Sequence, residues 1–239
     1  MRTLRRLLLT ILLLMQTSAW AVRQSDFCGE RLQYRIHYGL IAGGNIEFSA
    51  NRSKYGNVPA VHVKIDMYTT GLADKLFGMH DIFESYFNPH TGLPYRFTRD
   101  VHEGSYMQWE QVDYYNDYVV STLKGRYDID KRYHDVVSAI YALRCHDFAS
   151  LTPDTILTYP IYYEEQIFNM RVIYKGIDEI KLNKRTYRCH VFYPVLSNIP
   201  MFEKKSHPVA IWISDDMRRV PVYIKINMRL GAFKVKLIE

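Results

Sequence analysis

Apolar and polar residues alternate along most of this chain, which is the pattern of β-strands that bury one face. The clearest case lies near the C-terminus, where every second residue is apolar: Val220, Val222, Ile224, Ile226 and Met228. After a turn at Leu230-Gly231, three apolar residues alternate with two lysines: Phe233, Val235 and Leu237 with Lys234 and Lys236. Because a shift of one residue would turn the lysines into the core, the pattern also predicts the register of this hairpin.

The same alternation predicts strands over most of the remaining chain. Two strands begin near residues 34 and 46, and the others cover 61–67, 81–87, 95–101, 106–115, 118–123, 155–163, 166–174, 179–182, 186–193 and 207–213. Tyrosine, valine and isoleucine are frequent in these segments, as strands prefer. We therefore expect about a dozen antiparallel strands in a single domain.

Only one segment has clear helical spacing. Asp135 is a suitable N-cap for a helix over 135–148, and a shorter helix is predicted over 71–77. Since the apolar stripe of the longer helix must be buried, we expect it to lie across one mouth of a curled sheet. The predicted fold class is mainly β: a single antiparallel curled sheet, either a β-barrel or a half-barrel, with one central helix packed across it.

The first 21 residues have the three parts of a secretory signal peptide. Three arginines precede an apolar run over 7–15, and the small residues Ala19 and Ala21 follow. We predict cleavage after Ala21, which makes 22–239 a single β-rich domain exported to the periplasm or the outer envelope. The apolar run is too short for a transmembrane helix, and we expect no transmembrane segment in the mature chain.

The net charge of the mature chain and its predicted export limit the partners that the protein can have. The formal net charge is +6, and removing Arg2, Arg5 and Arg6 with the signal peptide leaves 6 − 3 = +3. This charge is too weak to indicate a nucleic-acid partner. Export separates the protein from ATP and NAD(P)H, and we expect no cofactor.

No sequence motif indicates catalysis. There is no nucleophile elbow, phosphate loop or H-E-x-x-H pattern, so we expect no catalytic residues and a protein that is not an enzyme. The run Ser214-Asp215-Asp216 lies between two strong strands and is interpreted as a hairpin turn. Arg218 and Arg219 follow it, and we expect them to pair with the two aspartates.

The three cysteines, Cys28, Cys145 and Cys189, allow one disulfide in an oxidising compartment. The sequence does not select among the pairs. Cys145–Cys189 is a possible disulfide, and the alternative is that all three are small buried apolar side chains. Cys145-His146 and Cys189-His190 contain zinc-type ligands, but adjacent residues on a strand or helix point in different directions, so we predict no metal site.

Six motifs occur in order along the mature chain: Gly29-Glu30-x-Leu32-x-Tyr34; Tyr38-Gly39 with Ala42-Gly43; Asp81 with Ser85-Tyr86; Asp135 with Ser138-Ala139-x-Tyr141-x-x-Arg144; the run from Trp212 to Val222; and the run from Gly231 to Leu237. In this order they resemble an exported bacterial family known as domain of unknown function 3108, and the run from Trp212 to Val222 is the most specific. The resemblance implies an envelope-located, β-rich fold akin to the curved sheets of lipoprotein carriers. It brings no established catalytic residues.

The aromatic content favours a binding role. Twenty tyrosines and three tryptophans exceed what a small core requires, and aromatic faces can line an apolar pocket or stack on sugars. We therefore expect a non-catalytic envelope protein that binds a lipid or another amphipathic ligand. The expected ligand contacts are aromatic residues and, for a polar head group, arginines: Tyr38, Tyr141, Trp212, Arg144, Arg218 and Arg219.

Two other functions stay open from the sequence. One is a structural, assembly or glycan-binding factor that acts through its surface on an envelope protein or glycan, and the other is a hydrolase of a new kind. The outer face of the C-terminal hairpin is basic: Lys225, Arg229, Lys234 and Lys236. These cations form either a solvated face that discourages edge pairing or a docking surface for anionic head groups or an acidic partner.

Overall fold

Fourteen strands form one antiparallel sheet in the computed structural model, which describes residues 22–164, 166–195 and 208–238. The predicted signal peptide lies outside the described residues. The first eight strands are β1 Arg31–Tyr38, β2 Ile41–Tyr55, β3 Val58–Thr69, β4 His80–Phe87, β5 Pro94–Glu103, β6 Tyr106–Tyr114, β7 Tyr118–Ser121 and β8 Gly125–Asp128. The other six are β9 Ile156–Tyr163, β10 Gln166–Leu182, β11 Arg185–Pro194, β12 Val209–Ser214, β13 Pro221–Asn227 and β14 Ala232–Leu237. The α-helices are α1 Gly71–Phe77 and α2 Val136–Cys145.

The sheet is curled but not closed. Strand β1 pairs with β2 on one side and with β14 on the other, so the order runs from β8 back to β1, then from β14 back to β9. The two edge strands approach each other through side chains, because the rings of Tyr127 on β8 and Tyr162 on β9 lie 5.7 Å apart. No ladder joins β8 to β9 in the described part of the chain. The predicted fold class is confirmed.

The C-terminal hairpin has the register that its alternation predicts. Ile224 lies opposite Val235, and Lys225 lies opposite Lys234. The side chains of Val222 and Val235 are buried. The period-two pattern was therefore sufficient to assign both faces of this hairpin.

Strands β8 and β10 differ from the sequence prediction, and β2 begins at Ile41 rather than near residue 46. Strand β8 was not predicted, because all four of its residues are exposed and no alternation marks them. Strand β10 is continuous where two strands were expected, and a register shift next to Gly176 accommodates the interruption. Gly176 has a φ of 99°, which a residue with a side chain adopts only with strain.

Helix α2 begins where the sequence predicts. The Asp135 carboxylate accepts hydrogen bonds from the amides of Val137 and Ser138 at 2.8 and 2.7 Å, and the Ser138 hydroxyl accepts one from the Asp135 amide at 3.0 Å. This reciprocal arrangement is a capping box. The helix ends at Cys145, earlier than expected, because Asp147 caps a separate short 3-10 turn over Phe148–Ser150.

Helix α2 packs on a filled core. Six of its ten residues are buried: Val137, Ser138, Ala139, Tyr141, Leu143 and Arg144. Val137 and Tyr141 pack in a cluster with side chains from the first half of the sheet, among them Val61, Val63, Phe87 and Phe97, and Leu143 packs in a cluster with the second half. No helix within the described residues is long and apolar enough to span a bilayer.

Close packing between β2 and β3 predicts that substituting two adjacent glycines will have very different effects on stability. A Cβ at Gly44 would lie 2.6 Å from the carbonyl oxygen of Tyr68, whereas a Cβ at Gly43 would meet only the Cβ of Ala73 at 3.5 Å. We expect Gly44→Ala to lower the free energy of unfolding by about 1–3 kcal/mol through backbone displacement, and Gly43→Ala to change it by less than about 1 kcal/mol. Urea denaturation of both variants measures this difference, and equal effects would contradict the packing described here.

Candidate functional site

Arg144, an expected contact for a ligand head group, is 1% exposed and already has protein partners. Its Nη1 and Nη2 donate to the two carboxylate oxygens of Glu30, each at 2.7 Å. Its Nε donates to the carbonyl of Arg219 at 2.9 Å, and Nη2 also donates to the carbonyl of Arg218 at 3.0 Å. Because a guanidinium has five N–H groups, these four bonds leave it one. Arg144 therefore ties α2 to the N-terminal segment and to the β12–β13 turn.

The Arg219 side chain, in turn, bonds to the end of α2. Its Nη1 donates to the carbonyl of Arg144 at 3.0 Å and to the carbonyl of His146, and its guanidinium carbon lies 4.4 Å from the ring centroid of Phe148. Arg218 is exposed in the same turn. The two expected arginine contacts are thus brought next to Arg144, but mainly through backbone carbonyls of the β12–β13 turn and of the end of α2.

The segment 214–219 is the hairpin turn that the sequence predicts. The Asp216 carboxylate accepts hydrogen bonds from the Ser214 hydroxyl and from the amides of Arg218 and Arg219. The expected pairing of the two arginine side chains with the aspartates is wrong. Asp215 instead pairs with Arg188 at 2.6 Å, because β11 runs beside this turn.

His190 on β11 is held between two partners. Its Nδ1 lies 3.0 Å from the Tyr174 hydroxyl, and its Nε2 lies 2.9 Å from a carboxylate oxygen of Asp215. Both ring nitrogens are therefore engaged, and the residue is buried. This cluster joins β10, β11 and the β12–β13 turn.

The residue types of a hydrolase site lie together at the start of α2, where they form its capping box and the residue before it: Ser138, Asp135 and His134. His134 Nδ1 lies 3.3 Å from the Ser138 hydroxyl, whereas the Asp135 carboxylate bonds to helix amides and to the Ser85 hydroxyl at 2.6 Å. Burial raises the pKa of Asp135 to about 6 and lowers the pKa of His134 to about 4. All four residues are buried, so the arrangement anchors the helix to β4.

The two remaining interior candidates lie apart. Tyr141 is completely buried and packs edge-on against Phe27, with ring centroids 5.5 Å apart. Trp212 is half-buried, its ring lies 5.0 Å from that of Tyr223, and its Nε1 donates to Asp178 at 3.0 Å. Both side chains therefore pack against neighbouring protein groups.

The possible disulfide between Cys145 and Cys189 is not present, because all three cysteines are free thiols. Cys145 packs against the core beneath α2, whereas Cys189 belongs to a second cluster under β13 and β14. Burial raises the pKa of both thiols to about 12. They resist ionisation and behave as the small apolar side chains of the alternative interpretation.

One end of the sheet exposes large apolar side chains that the sequence analysis did not select as a group. Helix α1 and the β1–β2, β5–β6 and β13–β14 turns meet at this end. Their exposed apolar residues form what we term the apolar rim: Tyr38, Leu40, Ile41, Leu72, Leu76, Phe77, Tyr106, Met107 and Leu230. Tyr38 is the expected ligand contact that lies within it.

Hydrogen bonds hold neighbouring segments of the apolar rim together. The Tyr38 hydroxyl donates to the carbonyl of Leu230, which links the β1–β2 and β13–β14 turns. The Thr70 amide donates to the Gly43 carbonyl at 2.9 Å, and the Gly104 amide donates to the carbonyl of Gly78 at 2.9 Å. Helix α1 is therefore attached at its start to β2 and at its end to the β5–β6 turn.

The apolar rim has a sequence signal. Leu40 and Leu230 stand in tight turns beside Gly39 and Gly231, where polar residues are usual. The predicted helix over 71–77 has leucines one turn apart, yet no partner for it could be assigned from the sequence. A leucine in a tight turn is therefore the sequence signal that indicates an exposed binding residue at these positions.

The basic outer face of the C-terminal hairpin reaches the apolar rim. We term it the basic stripe: Arg35, Lys225, Arg229, Lys234 and Lys236. Lys225 lies opposite Lys234, and Arg35 of β1 lies opposite Lys236. Arg229 precedes Leu230 in the β13–β14 turn. Because like charges directly opposite each other destabilise a sheet, this stripe has a cost in stability.

Beside α1 there is an open cleft of about 390 Å³. Its polar lining includes Glu47, Asp66 and His80, whose side chains bond to neighbouring protein groups. These groups and Asp74 are already engaged within the protein, so they offer little to a ligand. The apolar rim, rather than this cleft, is the candidate site.

A curled antiparallel sheet with a packed core and a helix across it defines a β-barrel-like protein. The chain is similar in fold to the crystal structure of a beta-barrel-like protein of domain of unknown function DUF1849 from Brucella abortus. The TM-score is 0.59 at 8% identity, and the match covers 87% of this chain and 95% of that one.

The model of the family described as "Protein of unknown function (DUF3108)" matches residues 33–238, and the chain belongs to this family. The resemblance stated from the motifs is therefore confirmed. No curated protein matches this chain.

Proposed function

We propose that this protein is a non-catalytic binding protein of the cell envelope that engages an apolar or amphipathic partner through the apolar rim. The observation that carries the proposal is that four separate chain segments expose large apolar side chains at the same end of the sheet. Groups of exposed large apolar side chains are uncommon on proteins that work without a partner, because exposing them to water costs free energy.

The packed core favours a binding site on the surface over a ligand held in the interior. Tyr141 and Arg144 would be contacts for a molecule held beneath α2, but a Glu30 carboxylate and packed side chains occupy their surroundings. An interior ligand would have to break this buried ion pair. The apolar rim requires no such rearrangement.

The buried histidines support a role without catalysis. His134 lies next to the Ser138 hydroxyl and His190 lies between the Tyr174 hydroxyl and the Asp215 carboxylate, and both are buried in clusters that connect secondary structure elements. The placement in the envelope comes from the predicted signal peptide over 1–21.

Site-specific photo-crosslinking tests the proposal. p-Benzoylphenylalanine placed at Leu76 in the apolar rim should form adducts with lipid or protein in intact cells that produce the protein. Met217 is the matched control, since it is 61% exposed against 65% for Leu76 but lies in the β12–β13 turn at the other end of the sheet. We expect adducts from position 76 and few from position 217. Equal labelling, or no labelling from position 76, would contradict the proposal.

A further inference from the structure

We propose that the partner of the apolar rim is the surface of a phospholipid bilayer that contains anionic lipids. This inference rests on the proposed function and names the partner of the same surface. The shape of the rim is the first argument. Leu40 is 99% exposed and Leu230 is 81% exposed, so these side chains project from the turns and form no wall of a groove. A fluid bilayer can surround projecting side chains on all sides.

Helix α1 has the properties of a short interfacial helix. None of its seven residues is buried, although Leu72, Leu76 and Phe77 are apolar. Leu72 and Leu76 lie one turn apart and share a face. Lys75 is exposed beside them, which combines an apolar surface with a cation as membrane-surface helices do.

Aromatic residues occur where a bilayer interface would lie. Tyr38 and Tyr106 are half-exposed at the ends of β1 and β6, and Trp109 is 51% exposed farther along β6. Tyrosine and tryptophan favour the head-group region, because each has an apolar ring and a polar group. Their position next to the leucines of the turns is the order expected from the bilayer interior outwards.

On the side of the β13–β14 turn, the charge next to the apolar rim complements anionic lipids, whereas the cleft beside α1 contains Glu47 and Asp66. Arg229 is exposed in the same turn as Leu230, and Lys234 lies on β14 beside Phe233, which pairs with Tyr38. The acidic side chain within α1, Asp74, accepts a hydrogen bond from the Thr69 hydroxyl at 2.9 Å. Lipid phosphates would relieve the repulsion between the facing cations of the basic stripe.

Vesicle binding of the mature chain tests this inference directly. The background variant is Trp212→Phe, which leaves Trp109 as the single tryptophan of residues 22–239. Vesicles of phosphatidylcholine, alone or mixed with phosphatidylglycerol, are titrated while Trp109 fluorescence is recorded, and flotation measures the bound fraction. We expect a blue shift and binding that is severalfold stronger with phosphatidylglycerol and weaker at high salt.

Two variants separate the apolar and electrostatic contributions. Leu72→Ser with Leu76→Ser should reduce the vesicle partition coefficient by about tenfold or more, because two large apolar side chains no longer enter the bilayer. Arg229→Gln should weaken binding about threefold or more, and only to vesicles with phosphatidylglycerol. Met217→Ser is the control and should bind like the background. Because α1 buries no residue, the rim variants should retain the circular dichroism and melting temperature of the background.

The outcomes distinguish this inference from the proposed function. Absence of vesicle binding, together with specific adducts from position 76 in cells, would overturn the bilayer as partner and leave a protein or small-molecule partner. Vesicle binding that the double rim variant retains in full would also overturn it. Absence of both vesicle binding and specific adducts would overturn the proposed function as well.

Discussion

Arg144→Ala should lower the free energy of unfolding by about 3–5 kcal/mol, which is the usual cost of removing one partner from a buried ion pair. The substitution leaves the Glu30 carboxylate without its bidentate partner and leaves the carbonyls of Arg218 and Arg219 without a donor. It also removes a guanidinium that stacks 4.0 Å from the ring centroid of Phe27. Chemical denaturation of the variant measures the effect.

An exposed ion pair of the same type is the matched control. Arg126 pairs with Asp128 at 2.8 Å on β8, with both side chains more than half exposed. Since exposed pairs contribute about 0–1 kcal/mol, Arg126→Ala should have a small effect. Similar losses in Arg144→Ala and Arg126→Ala would show that Arg144 does not anchor α2. In that case a role for its guanidinium in ligand binding would be favoured again.

Two adjacent buried residues should make opposite contributions to the pH dependence of stability. The pKa of Asp135 is raised from 3.8 to about 6, so the folded protein holds this proton where the unfolded chain has lost it. Its contribution to the free energy of unfolding therefore falls as pH rises from about 4 to about 6. The pKa of His134 is lowered from 6.5 to about 4, so its contribution rises with pH from about 4 to about 6.5.

Because the two shifts oppose each other, single substitutions should reveal slopes that largely cancel in the wild-type protein. Each shift of about two pKa units corresponds to about 3 kcal/mol at most. Asp135→Asn keeps an oxygen that can cap α2, and its stability should rise with pH across this window. His134→Gln should show the opposite slope. Urea denaturation between pH 4 and pH 7 measures both slopes, and parallel curves for the two variants would contradict the assignment.

Much of the fold could be predicted from sequence patterns that involve only neighbouring residues. The alternation in the C-terminal hairpin predicted its register, and Asp135 predicted the start of α2, because both depend on residues close in sequence. Strand β8 could not be predicted in this way, since its four residues are all exposed and carry no periodic signal. Its pairing with β7 depends on the path of the neighbouring chain.

The candidate site was predicted less completely. Tyr38 and the lysines of the hairpin were selected from the sequence, and the structure places them at or beside the apolar rim. Arg144 was also selected, as a contact for the polar head group of an amphipathic ligand. The sequence cannot show that Glu30, more than a hundred positions away, reaches that guanidinium first.

The sequence by itself determined the strand-rich composition, the faces of the strands and the start of the central helix, because these follow from periodicity and local hydrogen bonding. Only the tertiary structure decided which side chains pack in the core beneath α2 and that four distant segments expose their apolar residues at the same end of the sheet. The reason is that curling the sheet places β1 between β2 and β14 and turns α1 towards the same end. Burial and surface proximity are properties of this three-dimensional arrangement, which no short window of residues contains.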